Sequence, residues 1–316
     1  METRKLGSNG PALTTIGLGA WAIGGPWAWG WGKQDDAQSI AAIRASIERG
    51  INWIDTAAVY GLGHSEEIVA RALEGMQQKV FIATKCGLAW DDRKRVRNDL
   101  TPQSIRRELE ASLKRLKREQ IDLYQFHWPD PKTPVEKSWE EMIKFKQEGK
   151  VRYLGVSNFD VALMEKCQSL HPIDSLQPPY SLLARGIEKD ILPFCETNGI
   201  GVIAYSPMFS GLLSGKFDAS RLQAGDWRPK IEDFREPKLT RNLEFVEALR
   251  PIAAKYQKTV GQLAVAWVLH HPAVTAAIVG ARNADQAEEN IGGAGFTIAE
   301  DDREKIRLLL DELTAH

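Results

Sequence analysis

A chain of 316 residues with 43% apolar and 26% charged side chains has an ordinary globular composition, and α/β barrels reach this length as one domain. Its 41 lysines and arginines against 42 acidic residues leave a net charge of −1, so no basic field invites nucleic acid or an anionic membrane. Cys86, Cys167 and Cys195 have no metal-type or redox-motif spacing and read as reduced thiols; METRKLGS at the start has no apolar signal-peptide core. The expectation is a cytoplasmic protein with no resident metal, monomeric, folded as one domain over residues 1–316.

The chain opens with Arg4-Lys5-Leu6, a Ser8-Asn9-Gly10 turn and Leu13-Thr14-Thr15, a β-hairpin signal. Strands are then expected at Ile16–Gly19, Asn52–Asp55, Val80–Lys85, Ile121–His127, Val151–Ser157, Ser175–Gln177, Gly201–Tyr205 and Ala276–Val279. Amphipathic segments fall between them, including Asp36–Arg49, Ser65–Leu73, Pro102–Lys117 and Pro134–Glu148. Thr101-Pro102 is an N-cap followed by proline in the first turn, and Gly50 and Gly149 sit where helices should stop. The stretch from Thr259 to Ala281 has no Asp, Glu, Lys or Arg, but His270, His271 and Pro272 divide it into a core helix, Val260 to Leu269, and a buried strand. Eight strands each followed by a helix imply a (β/α)8 TIM barrel with an N-terminal β-hairpin. Two long loops interrupt the rhythm: Trp21 to Gly32 after strand 1, and Ser210 to Thr240 after strand 7.

In such a barrel the chemistry gathers at the C-terminal ends of the strands. Strand 2 ends in Asp55 with Tyr60 in its loop, strand 3 ends in Lys85 and strand 4 in His127. A carboxylate, phenol, ammonium and imidazole on one rim suit carbonyl reduction, where hydride arrival at carbon develops negative charge on oxygen and calls for a proton donor. The ammonium is expected to lower the phenol's pKa, and Asp55 to hold Lys85 charged. Taken singly, Asp55 and Lys85 also read as a buried ion pair, His127 as a core histidine and Tyr60 as a loop residue. Gly17-x-Gly19-x-x-Ala22 imitates a dinucleotide fingerprint, but Ile23-Gly24-Gly25-Pro26-Trp27 cannot open the helix that fingerprint requires.

NWIDTAAVYGLGHSEEIVARAL, IATKCG, DLYQFHWPD, GKVRYLGVSNF, QPPYSLLAR, YSPMFSGLLSGK and IVGARNADQAEEN resemble, in order and spacing, the signatures of the aldo-keto reductase superfamily over nearly the whole chain. The likeness is greatest to the bacterial branch of general stress protein and polyol dehydrogenase-like enzymes. It implies Tyr60 as general acid/base, with Lys85, Asp55 and His127 completing a tetrad, and an NADP(H)-dependent oxidoreductase with weaker use of NAD(H).

For the cofactor, Ser157, Asn158 and Gln177 can serve a nicotinamide carboxamide and Tyr205 offers a face for its ring, as the matching family positions do. Ser206, Pro207, Met208, Ser210, Gly211 and Lys216 supply backbone N–H groups, hydroxyls and a cation for the pyrophosphate. Gly280 and Arg282 open a helix, and the resemblance sets Arg282 on the 2′-phosphate with Gln286, Glu289 and Asn290 around the adenosine. The bland alternative pairs Arg282 with Asp285 or Glu289. Trp21, by resemblance, meets cofactor and substrate; Trp27, Trp29 and Trp31 join it, Tyr60 and His127 in a pocket for an aldehyde, ketone, sugar or polyol. The competing readings are a cofactor-sensing regulatory subunit of the same fold, which the presence of His127 disfavours, and a Schiff-base enzyme using Lys85, which Asp55 argues against.

Overall fold

Eight short strands whose side chains alternate between the barrel interior and the helix layer close into a parallel ring in the computed structural model, which describes residues 1–27, 29–222 and 226–314. The barrel strands are β1 Ile16–Gly19, β2 Trp53–Asp55, β3 Phe81–Cys86, β4 Ile121–Phe126, β5 Val151–Ser157, β6 Ser175–Gln177, β7 Gly201–Tyr205 and β8 Val274–Gly280. They neighbour one another in sequence order, and β8 closes on β1 with Ala277 opposite Ile16. The (β/α)8 expectation holds, with strand ends displaced by one or two residues. Asn52, Val80 and His127 fall just outside, and β8 runs further at both ends than Ala276–Val279.

Helices α1 Asp36–Glu48, α2 His64–Leu73, α3 Pro102–Leu116, α4 Val135–Gln147, α5 Val161–Gln168 and α6 Ile191–Thr197 follow the first six strands. The Thr101 side chain accepts the Ser104 N–H at the start of α3, and Gly50 and Gly149 adopt left-handed φ of 96° and 73° beyond α1 and α4. After β7 the described residues form four 3-10 segments and then α7 Lys238–Lys255, before the barrel helix α8 Val260–His270. Thr259 and Gln262 close α8 with a reciprocal capping box. The uncharged stretch is thus a buried helix and strand, and no described helix is long and apolar enough to cross a membrane. Helices α9 Ala284–Ile291 and α10 Glu300–Thr314 end the fold, α10 packing on α7 through the Lys255–Asp302 ion pair at 2.6 Å.

The N-terminal hairpin, Thr3–Lys5 with Ala12–Thr14, plugs the barrel floor: Leu6 and Leu13 join Trp53, Leu123, Ile203 and Ala276 in the interior. Gly17 has a steric reason, since a Cβ there would lie inside the Trp53 indole. The fingerprint-like glycines lead into one 3-10 turn, Ala22–Gly24, so no dinucleotide-binding helix begins there. A second hairpin, Leu88–Trp90 with Val96–Asn98, has no signal in the sequence: its strands are three residues long and the charged DDRKR between them reads as solvated loop. Parts of both long loops, residues 28 and 223–225, lie outside the described residues.

Candidate active site

The floor is plugged, so the cavity opens at the C-terminal ends of the strands. It measures about 1030 Å³, at the upper end of the roughly 300–1,000 Å³ typical of ligand clefts. Every candidate residue except Lys85 borders it; Lys85 lies just beneath, 1% exposed.

β2 ends by turning Asp55 inward, and the Lys85 ammonium on neighbouring β3 donates to Asp55 Oδ1 at 2.7 Å. The other two ammonium hydrogens go to the Thr56 carbonyl at 2.9 Å and the Tyr60 hydroxyl at 3.2 Å, which spends all three. Burial pushes the Asp55 carboxyl up and the Lys85 ammonium down, and each partner's charge opposes the shift. At this separation the two are a buried ion pair whose mutual attraction offsets the loss of water. The Tyr60 and His127 rings stand edge to face, 5.6 Å between centroids, both half-buried in the cavity wall.

Burial, and then the Lys85 charge, hold the His127 imidazole well below its usual pKa, so the ring is neutral at pH 7 and has one N–H to give. Burial, and then the Asp55 charge, push the Tyr60 phenol well above 10. This corrects the expected downward shift. Desolvation is the larger cause and decides the sign, and the Asp55 charge adds to it.

The opposite side of the rim is knitted by side chains from β5 to β7. Ser157 Oγ donates to the Gln177 carbonyl at 2.8 Å, and Asn158 Oδ1 accepts the Tyr205 hydroxyl at 2.9 Å while its amide nitrogen reaches the His127 carbonyl at 2.9 Å. Asn158 holds φ at 62°, in the left-handed region, to make these turns. Gln177 Nε2 donates to Asp55 Oδ2 at 2.8 Å, which spends one of its two N–H groups and leaves the amide oxygen turned from Asp55.

Beyond Tyr205 the backbone takes positive φ at Ser206 (55°), Phe209 (45°), Ser210 (54°) and Gly211 (91°). Runs of this kind form anion-receiving concavities of N–H groups. Lys216 pairs with Glu289 at 2.6 Å across the groove, and Asn290 Nδ2 donates to the Gly280 carbonyl at 2.9 Å. Arg282 pairs with neither Asp285 nor Glu289: its Nε donates to Gln34 Oε1 at 2.8 Å and its Nη2 to the Lys33 carbonyl at 2.9 Å. Gln286 receives the Arg282 N–H through Oε1 at 2.9 Å, and Asn283 caps α9.

Trp21, Trp27, Trp29 and Trp31 all reach the cavity, and Trp27 lies 6.0 Å from the Tyr60 ring. Sequence reasoning missed Trp227, whose ring meets Trp21 at 5.3 Å and Trp31 at 5.8 Å, joining the two long loops over the cavity. Arg228 beside it sits 4.7 Å over Trp31 and pairs with Asp226 at 2.6 Å. Nothing periodic in GDWRPK marks these residues; the one signal was an aromatic in a short polar stretch.

The aldo/keto reductase family model matches residues 15–311. The chain belongs to the aldo/keto reductase family. An aldo-keto reductase of Bacillus subtilis strain 168, YhdN, is 38% identical over 98% of this chain and 94% of its own length. An NADH-specific methylglyoxal reductase of Escherichia coli K12 is 34% identical over 99% of each. A glycerol dehydrogenase structure from Gluconobacter oxydans superposes with a TM-score of 0.91 at 39% identity, covering 99% of this chain and 96% of the other. This aldo/keto reductase is therefore an oxidoreductase of a family that uses nicotinamide cofactors on small carbonyl compounds. The cavity's donor set suits such a group: a concave run of N–H groups, a lysine and an arginine for phosphates, and an aromatic face at Tyr205.

Proposed function

We propose that the protein is an NADP(H)-dependent oxidoreductase that reversibly reduces small aldehydes or ketones, with Tyr60 as the proton donor. The observation that carries this is the Lys85 ammonium shared between Asp55 Oδ1 and the Tyr60 hydroxyl, in the wall of a cavity rich in anion-receiving groups. When bound, the nicotinamide supplies or accepts the hydride. Tyr60 gives its proton to the carbonyl oxygen in reduction and takes it back in oxidation. Lys85 stabilises the phenolate left behind, Asp55 keeps Lys85 charged and in place, and neutral His127 has an N–H for the same oxygen.

The raised phenol pKa sets the pH dependence. Tyr60 keeps its proton through neutral pH, so reduction should be level there and fall in the alkaline range, with an acid limb where Asp55 takes up a proton, while oxidation should climb with pH. Ser157, Asn158, Gln177 and Tyr205 would hold the nicotinamide end, the segment from Ser206 to Lys216 the pyrophosphate, and Arg282, Gln286, Glu289 and Asn290 the adenosine. Arg282 leaves part of its five-donor fork uncommitted, which supports a 2′-phosphate and hence NADP(H). The relatives named for methylglyoxal and glycerol favour three-carbon carbonyl compounds and polyols, and tryptophan faces accept sugars and polyols by stacking. Oxidation of NADPH and NADH with aliphatic, aromatic and sugar aldehydes tests the reading. No turnover with any carbonyl would overturn it; faster turnover with NADH would overturn the NADP(H) preference alone.

A further inference from the structure

The bond from Gln177 Nε2 to Asp55 Oδ2, 2.8 Å long, runs between β6 and β2. In the ring of eight these strands are four places apart, so the bond crosses the barrel mouth at its full width. Both ends are buried, Gln177 at 2% and Asp55 at 3% exposed. Each Asp55 oxygen has a donor: Oδ1 takes Lys85 and Oδ2 takes Gln177. A carboxylate only accepts, so the Gln177 amide must face it nitrogen first, which turns its oxygen away from Asp55. The side chain borders the cavity, and its backbone carbonyl is pinned by Ser157 Oγ at 2.8 Å and the Asn158 N–H at 3.2 Å.

We propose that Gln177 is a positioning residue for proton transfer: its amide nitrogen fixes the Asp55 carboxylate and leaves its oxygen for the N–H of a bound carboxamide, so one side chain couples cofactor and tetrad. This rests on the tetrad assignment above. The groups facing Asp55 are Lys85 from β3, Tyr60 from the loop after β2 and Gln177 from β6, with His127 after β4 beyond Tyr60 and Glu66 of α2 acting on Lys85. Without the amide donor, a buried carboxylate loses one of two stabilising bonds and binds a proton more readily. Lys85 then loses its counter-charge and Tyr60 its support. A glutamine that only touches cofactor would do none of this.

The test compares wild type, Gln177→Met, Asp55→Asn and the double variant. The hydride step is followed under single-turnover conditions with saturating NADPH and 4-nitrobenzaldehyde from pH 5 to 10, and urea unfolding is measured on the cofactor-free proteins. Gln177→Met should move the acid limb of the rate profile up by about one to two pH units, on the scale of one charge-assisted hydrogen bond. Asp55→Asn should abolish that response, and the unfolding cycle of the four proteins should be non-additive. An unmoved acid limb in Gln177→Met, with NADPH affinity reduced equally in both backgrounds, would show a cofactor contact only and overturn the proposal. If the two single variants unfold additively, it is overturned as well. Tyr60→Phe in the same assay separates the two levels. Wild-type rates there would remove the tetrad and this inference's catalytic meaning with it, while non-additive unfolding would still record the Asp55–Gln177 bond.

Discussion

The two halves of the rim are held in opposite ways. Where β2, β3 and β4 end, the charged groups are buried and bonded to one another, with Lys85 completely enclosed. Where β7 and β8 end, the charged groups sit on loops and on α9, partly exposed, and bond across the groove: Lys216 to Glu289, and Arg282 to the Gln34 side chain and the Lys33 carbonyl. A buried pair cannot lose a member cheaply, because the survivor stays desolvated. An exposed pair is screened and contributes little, so its members can exchange partners when a ligand arrives. In the proposed function, proton transfer is therefore built on fixed bonds and anion binding on replaceable ones.

The largest expected effect lies in the buried half. Tyr60→Phe removes the donor and keeps the ring, so carbonyl reduction should slow by roughly 10² to 10⁴ with NADPH affinity nearly unchanged. Stopped-flow reduction and fluorescence titration check both parts; a Phe variant as fast as wild type would put the proton donor elsewhere. Lys85→Met should lower the rate at neutral pH more than about tenfold and also destabilise the fold, since Asp55 is left buried with Gln177 alone. Urea unfolding beside the rate assay shows whether the two losses come together, as fixed bonds require.

In the exposed half, Arg282→Ala should weaken NADPH by about ten- to a hundredfold and NADH hardly at all, on the scale of one charge-assisted contact. Equal losses for both cofactors would mean that Arg282 only braces the loop at Lys33 and Gln34. Glu289→Ala should change NADPH affinity by about fivefold or less, because the Lys216–Glu289 pair is exposed. A larger change would break the contrast between fixed and replaceable charges.

Behind the fixed half lies one more buried acid. Glu108 of α3 accepts the Gly87 N–H, and burial pushes its carboxyl up to about 8. A folded-state pKa above the unfolded value of about 4.5 means that stability is lost as pH rises between the two. Glu108→Gln should flatten the decline of the melting temperature between pH 5 and 9 by a few degrees, which scanning calorimetry can read. An equal slope in the variant would place that sensitivity elsewhere.

The fixed half was also the half legible in the sequence. Strand ends carry inward residues at known positions, so Asp55, Lys85 and His127 could be placed on one rim from alternation alone, and the aldo/keto reductase motifs supplied the same set. The replaceable half was legible in its residues but not in their partners. Gln34 lies 248 positions from Arg282, Trp227 lies in a loop without period, and Gln177 and Asp55 are 122 positions apart. Contacts between loops, or across a barrel mouth, leave no local pattern. The phenol's raised pKa was missed for a related reason: charge type can be read from residues, but the balance of burial against pairing needs distances.

The hairpin at the barrel floor has a consequence for synthesis. Arg4 Nη1 donates to the carbonyls of Leu269 and Val274, the Ser8 N–H to the Gly199 carbonyl, and Ala277 gives its N–H to the Thr15 carbonyl. Ribosomes add about 5–20 residues per second, so the separation of 270 residues between Arg4 and Val274 is a wait of roughly 15–50 s. Throughout that interval Leu6 and Leu13 have no barrel interior to enter, and β1 has β2 on one edge and nothing on the other, because β8 has yet to emerge. The segment that seals the floor is made before the rest of the barrel and used last, and for that time the nascent chain carries an open strand edge and uncovered leucines into the crowded space outside the exit tunnel.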